Sequence, residues 1–376
     1  MTDTDGQLQK LRQSLDGLDA EFIQLVARRQ QLVSEIGEIK AQQGRQLRDF
    51  RREREVLDGV RNHAAAAGLD PNLAEDLVRR LIEASLTRQE QEQVKRSNRG
   101  EGKRALVIGG AGRLGQWLVN FLDAQGHDVA IADPKIGAAD GQSSKRASQV
   151  VSDWKEAGSD FDIIVLATPP GISQTIILDL MADSCKALVF DVASIKSPLI
   201  STLAKAAQGG MNICSMHPMF GPSTALLSGR HVLIMDVGCP EAVEEAKKLF
   251  VDTMAQTVEI PLETHDRLMA LVLGLSHLIN LVFVTALLQI NVPADELAEL
   301  SSTTFERQLR ISRDVVNESP TLYYEIQKLN AHGGLARNAL SSAVQLLEKA
   351  VAADEPTDFI DLMTRGQNYL QSLEKP

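Results

Sequence analysis

The chain has 376 residues, 44% of them hydrophobic, which is enough apolar material for two or three domains with buried cores. A formal net charge of −11 argues against non-specific nucleic-acid binding, although it leaves room for local basic pockets that hold anionic substrates. Three cysteines without C-x-x-C spacing and a polar, acidic start indicate a cytoplasmic protein with reduced thiols, and we expect no metal site.

Residues 1–95 are predicted to be wholly helical. Apolar residues alternate three and four apart, which predicts one helix of about 35 residues with a heptad-like stripe suited to helix pairing. The stripe consists of Leu8, Leu11, Leu15, Leu18, Phe22, Leu25, Leu32, Ile36 and Ile39. Arg29 fills its one gap, and an arginine in an apolar seam is costly unless an anion meets it.

Two further cations share this first helix. Lys40 lies within roughly 20° of Arg29 around the helix axis, whereas Arg12 lies about a quarter turn away. Arg29 and Lys40 therefore suit one anion pocket, and Arg12 suits a pocket on a partner chain. Ion pairs of Arg29 and Lys40 with nearby glutamates are the alternative.

Two shorter helices are expected to follow. The second helix starts near Asp49, and Asp70 with Pro71 forms an N-cap and N1 pair that opens the third. On the third helix Ser85 and Gln89 are four residues apart and share one face.

After a polar linker at residues 96–102, residues 103–260 alternate short apolar strands with helices, which predicts a doubly wound, Rossmann-like parallel sheet. The first strand runs into Gly110, Gly112 and Gly115, which have the G-x-G-x-x-G spacing of dinucleotide sites. The first glycine would allow a tight turn, the second a close approach of the pyrophosphate, and the third close packing of helix on strand. A plain βαβ turn is the alternative.

Polar residues follow the apolar runs of this region. Asp133 ends the second run, where a ribose-binding carboxylate is expected. Thr168, Ser194 and Lys196 follow later runs, and ligands of such sheets bind beyond the carboxyl ends of strands. A lone histidine is most often structural, but His217 at another strand end is a candidate for handling a proton.

Residues 261–376 turn helical again, and helices at both ends of the chain suggest dimer contacts. The stretch from Leu268 to Ile290 carries no charged side chain and is long enough to span a bilayer. Its internal polar residues and acidic flanks favour a buried central helix of a soluble domain instead. His265 and His277 are expected about 120° apart around this helix.

A basic stripe is expected on a later helix of this region. Arg307, Arg310 and Arg313 recur every three residues. A solvated surface face is the alternative to an anion-binding role.

Together these features resemble the bifunctional chorismate mutase–prephenate dehydrogenases of tyrosine biosynthesis. The first 95 residues are similar to the all-helical mutase, an intertwined dimer of three-helix chains. Every position of that family's pocket matches here by type and spacing, with Arg12 implied to enter the pocket of the other subunit. The implied mutase residues are Arg12, Arg29, Lys40, Asp49, Arg52, Glu53, Ser85 and Gln89.

From residue 103 onward the chain resembles prephenate dehydrogenases. Their hallmark H-P-M-F-G-P begins at His217, which the resemblance makes the catalytic residue. The family's E-H-D motif has one inserted residue here. The family's enterobacterial branch has two arginines on the later helix, and a gapless alignment places them on Glu306 and Asp314, beside Arg307 and Arg313. The implied substrate-binding residues are Ser194, Lys196, His265, His277, Arg307 and Arg313.

The implied cofactor is NAD. Asp133 favours NAD over NADP because a carboxylate repels a 2′-phosphate. The expected cofactor-binding residues are Gly110, Gly112, Arg113, Leu114, Gly115, Asp133 and Thr168.

The resemblance implies two reactions: chorismate rearranges to prephenate, and NAD-dependent oxidative decarboxylation then gives 4-hydroxyphenylpyruvate. A helical C-terminal dimerisation domain, a homodimer and L-tyrosine as feedback inhibitor are further expectations, with no nucleic acid and no membrane as partner. Three alternatives stay open: a dehydrogenase that prefers arogenate, a non-catalytic regulator that binds NAD and pathway metabolites, and an unrelated hydroxyacid dehydrogenase with a helical dimerisation module.

Overall fold

The computed structural model describes residues 3–137 and 147–373. The chain divides into two compact units. The first unit comprises Met1–Pro169, Ile176–Val192 and Lys205–Glu259. The second unit comprises Pro170–Thr175, Ala193–Ala204 and Ile260–Pro376.

The first unit begins with three helices, as predicted. Their bounds are α1 Asp3–Gln42, α2 Phe50–Ala66 and α3 Pro71–Ser97. The Asp49 side chain accepts a hydrogen bond from the backbone N–H of Arg52, and Asp70 caps α3 ahead of Pro71. The apolar stripe of α1 stays exposed in the single chain, from Leu8 at 47% to Leu25 at 64%. Helix pairing with a second chain remains the expected way to cover it.

The same unit contains an eight-stranded sheet in the order β3-β2-β1-β4-β5-β6-β7-β8. The strands are β1 Arg104–Ile108, β2 Asp128–Ala132, β3 Gln149–Val151, β4 Ile163–Leu166, β5 Leu188–Asp191, β6 Ile213–Pro218, β7 His231–Met235 and β8 Gln256–Glu259. Neighbours run parallel except β6 and β7, which are antiparallel. The connection between those two strands, residues 219–230, contains turns in place of the crossover helix that a parallel pair requires.

Four helices belong to this sheet: α4 Arg113–Ala124, α5 Pro170–Ala182, α6 Ile200–Gln208 and α7 Pro240–Lys248. Val107, Val165 and Phe190 of the central strands are at most 1% exposed. Because β1 lies between β2 and β4, the crossovers leave it in opposite directions. This arrangement opens a crevice at the carboxyl ends of β1 and β4, the usual place for a dinucleotide.

The described residues of the second unit are mainly helical. Its helices are α8 Leu262–Met269, α9 Ser276–Ile290, α10 Ala294–Glu299, α11 Thr303–Val316, α12 Pro320–Leu329, α13 Gly333–Val351 and α14 Thr357–Leu373. A π-helical turn, Ala270–Leu275, joins α8 to α9. The expected 120° between His265 and His277 assumed a regular α-helix, so the wider turn between them invalidates that angle.

The prediction that the apolar stretch is buried is wrong for the single chain. Leu262–Ile290 is long and apolar enough to cross a membrane by length and composition, yet only 11% of its most apolar window is buried. Val272 is 53% exposed and Leu288 is 74% exposed. One side of α9 does pack inward: buried Asn280 accepts hydrogen bonds from Gln308 and Ser312, each at 2.9 Å.

Candidate active sites

The C-terminal half of α1 packs along α3 and brings three of the expected mutase residues to one interface. Arg29 Nη1 lies 3.3 Å from Ser85 Oγ. Gln89 Nε2 donates to the carbonyl of Val33 at 2.6 Å. A Cβ at Gly37 would lie 2.7 Å from that same nitrogen, so the absence of a side chain lets α3 approach closely.

Arg29 and Lys40 donate hydrogen bonds to neutral carbonyl oxygens, and Lys40 also helps to lower the pKa of Asp49 through its charge. Arg29 also donates to the carbonyl of Leu81 at 3.4 Å, and Lys40 Nζ donates to the carbonyl of Leu47 at 2.8 Å. In the part of the chain that the structure describes, neither forms the ion pair that was the alternative interpretation. Burial lowers the pKa of Arg29. Arg29, a half-buried cation without a carboxylate partner among the described residues, is suited to an anionic ligand.

The expected mutase residues of α2 are placed differently. Asp49 is the N-cap of α2, and its bond from the Arg52 N–H lowers its pKa. The Arg52 side chain is exposed and lies 3.2 Å from Glu55. Glu53 is bound by Arg48 through two hydrogen bonds of 2.9 Å.

Arg48 is a residue that no sequence pattern marked. Its third nitrogen, Nη1, donates to Ser228 Oγ at 2.8 Å, so this one guanidinium joins Glu53 to the β6–β7 connection. Arg12 is exposed and lies 17 residues before Arg29, about 26 Å along α1. One chain therefore does not bring Arg12 to the cluster of Arg29, Ser85 and Gln89.

The glycine turn between β1 and α4 leaves no room for side chains. A Cβ at Gly110 would lie 2.7 Å from Ile131 Cγ2, and one at Gly115 would lie 2.2 Å from the carbonyl oxygen of Gly109. The left-handed conformation of the turn falls on Gly109, with φ of +86°, rather than on Gly110 as the motif suggested. Gly112 is the N-cap of α4 and makes no side-chain cap, and a helix N-terminus of this kind suits an anionic ligand.

Two further residues complete this cradle. Asp133 is 7% exposed, and its carboxylate accepts the N–H groups of Ala111 at 3.1 Å and Lys135 at 2.9 Å. Thr168 lies beside Gly109, since its Cγ2 would be 3.1 Å from a Cβ there. Of the other expected residues, Arg113 is exposed at the start of α4 and Leu114 packs against the core. Space, amide donors and an acidic side chain thus fit the pyrophosphate and ribose of a dinucleotide.

His217 lies within β6 rather than beyond its end. The strand continues to Pro218, and His217 pairs with Leu233 of β7 and is 4% exposed. Two residues earlier, Ser215 Oγ donates to the carboxylate of Asp191 at 2.6 Å, and both residues are fully buried. An aspartate inside the apolar β5 run was the available sequence signal for this pair.

In the second unit, Asp266 organises the expected substrate-binding residues. Its carboxylate accepts the N–H groups of Lys196 at 2.8 Å and Ser197 at 2.6 Å, the hydroxyl of Ser197, and His265 Nδ1 at 2.7 Å. Although burial opposes ionisation, the hydrogen bonds from His265 and Ser197 dominate and lower the pKa of Asp266 to about 2. Asp266 therefore holds Lys196 and His265, both fully buried, around one carboxylate.

The remaining expected residues of this unit are more dispersed. Ser194 is half-buried, two residues before Lys196. His277 stacks on Tyr323 with 4.2 Å between ring centroids, its buried Nδ1 has no hydrogen-bond partner among the described residues, and burial lowers its pKa. The three stripe residues of α11 are exposed, as the alternative interpretation stated. They are Arg307, Arg310 and Arg313.

Comparisons with known proteins divide the chain in the same order. A chorismate mutase type II model matches residues 11–90, the nucleotide-binding domain of prephenate dehydrogenase matches 122–259, and the dimerization domain of prephenate dehydrogenase matches 261–365. The second match begins after the glycine turn, so the assignment of that turn rests on its own geometry.

Similar proteins extend over most of the chain. The T-protein of Enterobacter agglomerans is 27% identical over 325 residues, which is 85% of this chain and 81% of the relative. The T-protein of Haemophilus influenzae is 26% identical over 323 residues, or 85% and 80%. The prephenate dehydrogenase from A. aeolicus, solved with hydroxyphenyl propionate and NAD+, has a TM-score of 0.56 at 16% identity and covers 71% of this chain and 98% of its own, a likeness of fold.

A mutase domain, a nucleotide-binding domain and a dimerization domain thus follow one another along a single polypeptide. The half-buried Arg29 between α1 and α3 lies within the chorismate mutase match, and the glycine turn after β1 lies just before the start of the nucleotide-binding match. The chain belongs to the family of bifunctional chorismate mutase–prephenate dehydrogenases.

Proposed function

We infer that this chain catalyses two consecutive steps of tyrosine biosynthesis, from chorismate to prephenate and from prephenate to 4-hydroxyphenylpyruvate. One observation carries the inference: the same unit contains an anion-binding cluster between α1 and α3, formed by Arg29, Ser85 and Gln89, and a glycine turn after β1 that fits a dinucleotide. The first reaction supplies the substrate of the second.

The first step is pericyclic, so it requires neither a nucleophile nor a proton donor. The site must fold a flexible dianion and stabilise the charge that separates in the transition state. Arg29, together with Arg12 of the partner chain, binds the two carboxylates as planar forks. Lys40 and Gln89 donate to the ether oxygen as its bond breaks.

The other mutase residues bind the rest of the substrate. Glu53 accepts a hydrogen bond from the substrate hydroxyl. Because Arg48 also donates to Glu53, the substrate and Arg48 must share this carboxylate. Ser85 supports Arg29, at 3.3 Å from its guanidinium. Asp49 and Arg52, at the start of α2, complete the proposed set.

NAD, when bound, accepts a hydride from the ring carbon that carries the prephenate hydroxyl. Gly110, Gly112 and Gly115 give the pyrophosphate access to the N-terminus of α4, assisted by Arg113 and Leu114. Asp133 holds the ribose hydroxyls, and Thr168 borders the turn.

His217 accepts the hydroxyl proton as the ring carbonyl forms. Loss of the ring carboxylate as carbon dioxide then makes the ring aromatic, which drives the step. Ser194, Lys196, His265 and His277 are the proposed prephenate ligands. Arg307 and Arg313, which are exposed in the single chain, are proposed to bind its carboxylate.

We propose the boundaries 1–95 for the mutase domain, 96–102 for the linker, 103–260 for the NAD domain and 261–376 for the helical domain. The exposed apolar faces of α1 and α9 support a homodimer, because a second copy would cover both. We further propose a cytoplasmic location and L-tyrosine as feedback inhibitor.

One assay tests the whole proposal: purified protein receives chorismate and NAD, and NADH is followed by absorbance. Steady NADH production with release of 4-hydroxyphenylpyruvate is expected, after a lag while prephenate accumulates. No NADH from chorismate or prephenate would contradict it and favour a non-catalytic regulator. Arogenate in place of prephenate tests the substrate alternative.

A further inference from the structure

A buried carboxylate joins the mutase helices to the dinucleotide-binding sheet. Glu90 follows Gln89 on α3 and is only 3% exposed. One of its oxygens accepts the N–H of Leu227 at 2.8 Å, and the other accepts the N–H of Met254 at 2.5 Å. Burial raises the pKa of Glu90, and both backbone bonds oppose that rise.

A second contact reaches the same place from the loop between α1 and α2. Arg48 binds Glu53 with two nitrogens and donates to Ser228 Oγ with the third. Leu227 and Ser228 are consecutive, so α3 and the loop that precedes α2 hold adjacent residues of one segment by independent bonds.

That segment is the β6–β7 connection, residues 219–230, which we call the bridging loop. It begins directly after His217 and Pro218. The N–H of Met219 donates to the carbonyl of His231 at 2.9 Å and closes the base of the loop. Trp117 Nε1 of α4 donates to the carbonyl of Thr224 at 2.9 Å, and the N–H of Gln256 in β8 donates to the carbonyl of Arg230 at 2.8 Å, so the loop is also anchored on the sheet side.

We propose that Glu90 and Arg48 are positioning residues of the dehydrogenase, which fix the bridging loop and through it the strand end that carries His217. The proposal rests on the proposed role of His217. Under this proposal the mutase region contains the residues of the first active site and also positions a residue of the second. A displaced strand end would change turnover, because misplacing a reacting group by about 1 Å costs up to about 10²-fold in rate.

The test is Glu90→Gln. The side chain keeps its size, but its NH2 group would face a backbone N–H, so one of the two bonds becomes a contact between donors. We expect dehydrogenase kcat with prephenate and NAD to fall about 10-fold or more, with KM for NAD and mutase kcat within about twofold of wild type. Amide hydrogen exchange should rise in residues 219–230 and around Met254.

Two controls separate positioning from general damage. Glu83→Gln removes an exposed carboxylate of the same helix and should change none of these quantities. Ser228→Ala removes only the acceptor of Arg48 and should lower dehydrogenase kcat in the same direction, whereas Ser228→Thr keeps the hydroxyl and should restore it. This pair decides the question even if Glu90→Gln does not fold.

If both Glu90→Gln and Ser228→Ala keep the wild-type dehydrogenase kcat, this inference is overturned and the proposed function is unaffected. A wild-type protein that does not reduce NAD with prephenate would overturn the proposed function as well. Equal loss of both activities in Glu90→Gln, with Ser228→Ala like wild type, would also overturn it, since that result indicates structural damage.

Discussion

The anion-binding cluster of Arg29, Ser85 and Gln89 lies beside an exposed apolar helix face, whereas the glycine turn and Asp133 follow the carboxyl ends of neighbouring strands in one sheet. Leu25, near Arg29 on α1, is 64% exposed, while Asp133 is 7% exposed. The cluster also lacks Arg12, which lies about 26 Å away along the same helix. The proposed NAD site thus takes its residues from one chain, and the proposed mutase pocket takes them from two.

The difference follows from where each site takes its rigidity. Strand ends are fixed by the ladder on both sides, so a ligand site there forms as soon as the sheet does. A long helix has its backbone bonds satisfied internally, and we expect the exposed apolar stripe of α1 to be covered by a partner chain. Substitutions in the two regions should therefore differ in how they depend on dimer formation.

His217→Asn should give the largest difference between its effects on the two activities. The change removes the proposed proton acceptor while keeping a side chain of similar polarity. Dehydrogenase kcat is expected to fall by about 10² to 10⁴, with mutase kcat within about twofold of wild type. Steady-state rates of both reactions on one preparation measure this, and equal loss of both would exclude the role of His217.

Gly115→Ala should affect the cradle without touching the mutase cluster. Its Cβ would lie 2.2 Å from the Gly109 carbonyl, so the turn must open. We expect NAD affinity to fall about 10-fold or more and the free energy of unfolding to fall by about 1–3 kcal/mol. Calorimetric titration with NAD checks this, and Gly171→Ala, where a Cβ meets nothing within 4 Å, is the matched control. Unchanged NAD affinity in Gly115→Ala would remove the turn from the cofactor site.

Asp266→Asn should have a smaller, pH-dependent effect in the second unit. The pKa of Asp266 is lowered to about 2, so ionisation stabilises the fold above the ordinary carboxyl pKa, and that stabilisation is lost as pH falls toward 2. The free energy of unfolding of the variant is expected to be lower by about 2 kcal/mol at pH 7. Denaturant titrations at pH 7 and below pH 4 should show the difference shrinking with acid. A difference that is constant with pH would contradict the assigned cause.

Features with a strong local cause could be predicted from the sequence. The heptad stripe of α1, the Asp70–Pro71 start of α3 and the glycine spacing before α4 each depend on neighbouring residues alone, and the structure contains all three elements. The antiparallel orientation of β7 depends on the contacts of the bridging loop, and hydrophobic periodicity carries no information about those contacts.

Long-range polar contacts could not be predicted from sequence patterns, because they depend on residues that are far apart in the chain. Glu90 looks like an ordinary charge on a helix and Arg48 like an ordinary charge in a loop, and only the folded chain brings them to Leu227 and Ser228. Asp266 appeared as part of a motif, but its four donors come from two separate segments. The apolar run from Leu268 to Ile290 was misassigned as buried because its composition does not say whether its own chain or a second copy covers it.

The most direct test of the two-chain mutase pocket is complementation between Arg12→Ala and Lys40→Ala. Each variant alone should lose mutase activity almost completely and keep NAD binding, because every pocket of its dimer lacks one cation. Mixing the two in equal amounts, after unfolding and refolding together, should restore about a quarter of the wild-type activity, since half of the dimers would contain one intact pocket. No recovery in a mixture shown to contain mixed dimers would place Arg12 and Lys40 in the same chain's pocket and contradict the account.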